Sequence, residues 1–61
     1  MAYVFDFISS EGVIQHFDLG AFEDDRDALV QAEAALRATT AASVEVWRGL
    51  DRLARFEART R

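Results

Sequence analysis

The sequence has no cysteine, no lysine and a single histidine, His16. Without cysteine, neither a disulfide nor a thiolate zinc site can brace the fold, and one imidazole leaves only carboxylates as further metal ligands. Those absences matter because the chain has only 61 residues. A domain this small buries only about 60% of the surface its unfolded chain exposes, and such domains draw on disulfides, metals or association for the rest. A second copy or a partner protein is the remaining source of support. Glycine is also scarce: Gly12, Gly20 and Gly49 stand alone, so no glycine-rich loop exists to cradle a phosphate. No run approaches the roughly 18 apolar residues of a membrane span, and the N-terminus lacks the basic and apolar segments of a signal peptide. These features predict a cytoplasmic chain with no membrane partner and no cofactor.

What is present fits a globular domain, with 51% hydrophobic and 30% charged residues, outside the low-hydropathy, high-charge range of disordered chains. The net charge is -4, and all seven basic residues are arginine. An acidic chain is repelled by polyphosphate and by anionic membranes, which disfavours nucleic acid as a partner. The charge is unevenly spread. Through Leu36 eight acids face one arginine, a sum of -7, whereas from Arg37 onward six arginines face three acids, a sum of +3. Such polarity can align one copy, or a partner, with another.

The patterning predicts a single domain over residues 1–61. Residues 2–8, AYVFDFI, are β-branched and aromatic and read as a strand with Tyr3, Phe5 and Phe7 on one face and Val4, Asp6 and Ile8 on the other. Ser9 to Gly12 form a turn, and residues 13–18 return as a second strand. Gly20 lies in a connector. The period then changes: over residues 25–38, Ala28, Leu29, Ala32, Ala35 and Leu36 share one stripe of an amphipathic helix. Asp24 or Asp25 is placed to cap it, and the acids of its first turn suit the helix dipole.

Two strands at about 43–48 and 52–57 close the chain. A two-residue Gly49-Leu50 loop pairs Val46 with Leu53 and Trp47 with Arg52, which leaves a mixed face. An odd loop centred on Leu50 pairs Val44 with Phe56, Glu45 with Arg55, Val46 with Ala54 and Trp47 with Leu53. The second solution makes one face wholly apolar, and one-face burial fixes register, so it is preferred. A helix over 50–59 competes, but it leaves Phe56 off its stripe. The resulting fold class is α+β, a two-layer ββαββ domain with one helix on one face of an antiparallel sheet. One helix cannot cover both faces, so Val4, Ile8, Trp47 and Leu53 are expected on an open face that contacts a second copy or a small protein partner.

Candidate chemistry is sparse. His16 and Asp18 share a strand face, the beginning of an acid–base pair, but no nucleophile or third ligand completes it. The run Glu23-Asp24-Asp25-Arg26-Asp27 lacks the ligand spacing and turn glycine of a calcium loop. Arg48, Arg52, Arg55, Arg59 and Arg61 with Trp47 and Phe56 suggest a surface for single-stranded nucleic acid, but the chain is too short for the full RNA-recognition fold. The expectation is a non-enzyme.

Two resemblances add to this reading. Phe5-Asp6-Phe7, the Asp24–Leu36 helix with its alanine stripe, and Val44-Glu45-Val46-Trp47-Arg48-Gly49 resemble short stand-alone bacterial proteins of unknown function. Phe17-Asp18-Leu19-Gly20, leading through Asp24-Asp25 into Ala28, Ala32 and Leu36, resembles the strand–loop–helix of HicB-type antitoxins, with Phe17 where those carry proline. The second resemblance implies an inhibitor that folds over a small toxin.

Overall fold

The structure is a computed structural model that describes residues 1–58. It contains β1 (Ala2–Ile8), β2 (Ile14–Ala21), α1 (Asp25–Arg37), β3 (Ser43–Arg48) and β4 (Asp51–Glu57), the ββαββ order that the patterning predicts. The strands form one antiparallel sheet in the order β2-β1-β3-β4. Because β2 and β3 both run antiparallel to β1, they are parallel to each other, and joining parallel strands requires a crossover over a sheet face. The helix α1 is that crossover.

Its stripe is as the period predicts. Ala28, Ala32 and Leu36 are buried, one turn apart on a single face, and they pack with Tyr3, Phe5 and Phe7 of β1 and Val44 and Val46 of β3. The odd-numbered aromatics of β1 are thus the face that meets the helix. Asp24 caps α1 by accepting from the Asp27 amide at 2.9 Å, and Asp25 and Asp27 supply negative charge to the first turn. The helix ends at Arg37, one residue short of the expected boundary. Beyond it the Thr39 amide donates to the Leu36 carbonyl at 3.2 Å, and the Thr39 hydroxyl donates to the same carbonyl at 3.3 Å while accepting from the Ala41 amide. That local alternative competes with another helical turn.

The first hairpin is closed by Ser9, whose Oγ accepts from the amides of Glu11 and Val13, and by Gly12 at φ 85°, where an L side chain is strained. Val13 belongs to this loop, and β2 begins at Ile14 and continues through Gly20 to Ala21 rather than stopping at residue 18.

The second hairpin combines the two loop solutions. Arg48 faces Asp51, so the loop is the two-residue Gly49-Leu50, with a positive φ of 63° at Gly49 alone, the pattern of a type II′ turn. Val44 nevertheless pairs with Phe56, Glu45 with Arg55 and Val46 with Ala54. A bulge between Val46 and Trp47 reconciles them. Trp47 faces Arg52, and Leu53 is the extra residue. Residues 51–57 are strand, which settles the competing helix assignment.

Candidate interaction surface

α1 packs over β3, β4 and β1 and leaves β2 uncovered. Every residue of β2 except Gly20 is exposed. On the helix side of this strand the side chains are small or polar: Gly20, Asp18 and His16 lie opposite Tyr3, Phe5 and Phe7. The His16 ring stacks on Phe7 at 4.5 Å with an interplanar angle of 7°. Phe22 fills the remaining gap. Its ring stacks on Phe5 at 5.7 Å, tilts against Tyr3 at 5.9 Å, and lies so close to Gly20 that a Cβ there would sit 2.7 Å from its Cε2 atom. Glycine at 20 is therefore a packing requirement rather than a hinge out of the sheet.

The opposite face is open, and strand register writes it as rows. Leu19, Val4 and Trp47 stand side by side across β2, β1 and β3, with Arg52 next on β4. The second row runs Phe17, Asp6, Glu45, Arg55, and the third runs Ile14, Ile8, Ser43, Glu57. Apolar side chains therefore concentrate on the β2–β1 half with Trp47 at its margin, while charge occupies the β3–β4 half. Leu19 is 74% exposed, Phe17 60% and Ile14 54%.

Of the four expected residues, Val4 and Trp47 stand half-buried on this face, whereas Ile8, although strand parity puts it on the same side, is buried beside the buried Ser43. Leu53 does not stand there: it packs against the buried core, because the bulge breaks the alternation that would have set it beside Trp47. Sequence reasoning missed Leu19 and Phe17. The alternation Phe17, Leu19, Ala21 continues past residue 18 and is the signal that identifies them, although Gly20 reads as a break within it.

Asp6 and Glu45 are direct cross-strand partners, an unfavourable like-charge pair. Arg52 Nη1 answers Glu45 Oε2 at 3.1 Å, and Arg55 Nη1 approaches the same oxygen at 3.7 Å. On the helix side, Asp25 accepts from the Tyr3 hydroxyl at 2.6 Å and from Arg48 Nη1 at 2.7 and 2.9 Å. The Tyr3 hydroxyl, followed by the Arg48 guanidinium, holds the Asp25 carboxyl below its ordinary value of 3.8, against a desolvation that pushes it up. The same hydrogen bond raises the Tyr3 hydroxyl above its ordinary 10.0. These contacts pin the start of α1 to both central strands.

The candidate chemistries are dispersed. Asp24 and Asp25 are committed to capping and to Tyr3 and Arg48, and among the described residues no three His, Cys, Asp or Glu side chains gather to hold a metal ion. Arg52 and Arg55 stand on the open face with Trp47 and are paired with Glu45, while Arg48 pairs with Asp25 on the helix side and Phe56 packs with the core. Arg59 and Arg61 lie outside the described residues. A concavity of about 380 Å³ between Glu33, Leu36, Arg37, Thr39, Glu57 and Ala58 is remote from His16. Among the described residues, no helix is long and apolar enough to cross a membrane. Comparison with family models, curated proteins and solved structures found no match for this chain.

Proposed function

We propose that this protein is a small non-catalytic interaction module that associates with a second copy of itself, or with a small protein partner, through the open sheet face. The observation that carries the reading is the row Leu19–Val4–Trp47 with Phe17 beside it, apolar surface that the single helix cannot reach. The domain's size supports it, since covering this face supplies burial that neither disulfide nor metal provides. The neighbouring Glu45, Arg52 and Arg55 give the contact a charged margin that sets orientation.

Native mass spectrometry of the protein taken from its own cells tests the reading. Multiples of the chain mass, reduced to single chains by Trp47→Arg, support self-association. A co-purified small basic protein that Trp47→Arg releases assigns the face to a toxin-like partner. Single chains alone contradict both.

A further inference from the structure

A second contact is encoded in the free edge of β2. Met1 and Phe22 exchange N–H···O=C bonds in both directions at 3.0 Å, which fixes the phase of the β1–β2 ladder. Alternation then makes Tyr3–Gly20, Phe5–Asp18 and Phe7–His16 the hydrogen-bonded pairs. The N–H and C=O groups of Phe17, Leu19 and Ala21 therefore point away from β1, along the unpaired edge of the sheet.

That edge has one irregularity, the register shift that leaves Gln15 without a partner near the start of β2, and one charge, Asp18; from His16 to Ala21 the pairing with β1 is regular. β2 is eight residues long and carries no lysine, arginine or proline, the residues that guard natural edge strands. The opposite edge is guarded: β4 contains a bulge and the charges Asp51, Arg52, Arg55 and Glu57.

We propose that a second copy of this chain pairs antiparallel along β2 in the register centred on Phe17, joining two four-stranded sheets into one of eight strands. The phase of the edge admits only registers in which odd residues face odd residues. Among these, the one centred on Phe17 sets His16 opposite Asp18 of the partner, twice by symmetry. Moving the centre to Asp18 sets two carboxylates against each other, and moving it to His16 leaves Asp18 opposite Ile14. His16 is held in place by its stack on Phe7, and Asp18 makes no ion pair or side-chain hydrogen bond among the described residues, so its carboxylate is available to accept from the imidazole of the other copy. On the open face, Phe17 meets Phe17 of the partner as an aromatic cross-strand pair. Phe17 and Leu19 donate and accept at the new ladder.

This contact shares Phe17 with the open face, but its backbone ladder lies on the edge and its His16–Asp18 pairs on the helix side, away from Trp47, so it is separable from the open-face reading. The test mixes His16→Glu with Asp18→Arg and measures masses by native mass spectrometry, repeated on a Trp47→Arg background. Alone, each variant sets like charges or unfavourable partners across the edge. In the mixed pair the introduced glutamate of one variant meets the introduced arginine of the other, while the retained Asp18 meets the retained His16, so heteropairs should exceed homopairs at least several-fold. Leu19→Pro, which removes an edge N–H without touching the β1 ladder, should abolish that preference, whereas Leu19→Ala should retain it. Statistical mixing, or single chains throughout, overturns the edge contact. Statistical mixing together with dissociation by Trp47→Arg leaves the open-face reading standing; preferential heteropairs that persist on the Trp47→Arg background leave the edge standing without it.

Discussion

The Tyr3 hydroxyl donates to Asp25 at 2.6 Å, tying the beginning of β1 to the first turn of α1 across 22 positions of sequence. The shifts of both groups set the pH dependence of stability. Asp25 titrates below its ordinary 3.8 in the fold, so the unfolded chain binds its proton first as pH falls. Its contribution is complete above the ordinary value and is lost as pH falls through the lowered one. Tyr3 is raised above 10.0, so its contribution is complete below that value and is lost as pH rises through the folded one. Thermal melts across pH should show both flanks. Because one hydrogen bond shifts both groups, Asp25→Asn should flatten the acid flank and reduce the alkaline one, and Tyr3→Phe should flatten the alkaline flank and reduce the acid one; unchanged flanks would contradict the assignment.

Gly20→Ala should destabilise the domain by about 1–3 kcal/mol, the usual cost of overpacking. The new methyl would meet Phe22 at 2.7 Å and push its ring off Phe5. Chemical denaturation measures the loss, and near-ultraviolet circular dichroism should report the disturbed aromatic stack.

Trp47 and Leu53 should separate by phenotype. Trp47→Arg should weaken association at least tenfold, about 1.4 kcal/mol. Leu53→Ala should instead lower the folding stability of the individual chain by roughly 1–2 kcal/mol, less than the full cost of a buried leucine because the site is half-exposed. Denaturation at several protein concentrations distinguishes the two effects.

Asp6→Asn should stabilise the sheet by a few tenths to about 1 kcal/mol, because it removes one carboxylate from a direct cross-strand pair of like charges. Glu45→Gln should do less, since it also removes the partner of Arg52 at 3.1 Å. Paired thermal melts decide the order.

Much of this fold is written in local alternation. Tyr3, Phe5 and Phe7 announce one face of β1, Ala28, Ala32 and Leu36 announce the buried stripe of α1, and Val44, Val46, Ala54 and Phe56 pair as their apolar matching requires. The bulge at Leu53 is different in kind. Two loop lengths each satisfied part of the pattern, and only an unpaired residue, which leaves no periodic signal, satisfies both. The candidate surface was half legible for a related reason. Val4, Ile8 and Trp47 follow from strand parity, whereas Phe17 and Leu19 follow from the pairing of β2 with β1, which sets them beside Asp6 and Val4 on the face away from α1. The mixed polarity of residues 13–18 specifies that register only weakly, and Gly20 concealed the continuation of β2 by looking like a break.

Sedimentation equilibrium of the unmodified protein, at about 100 μM so that mass action favours association, tests the central claim most directly. Self-association predicts a mass of at least two chains of 6.9 kDa each. The mass of a single chain would contradict it.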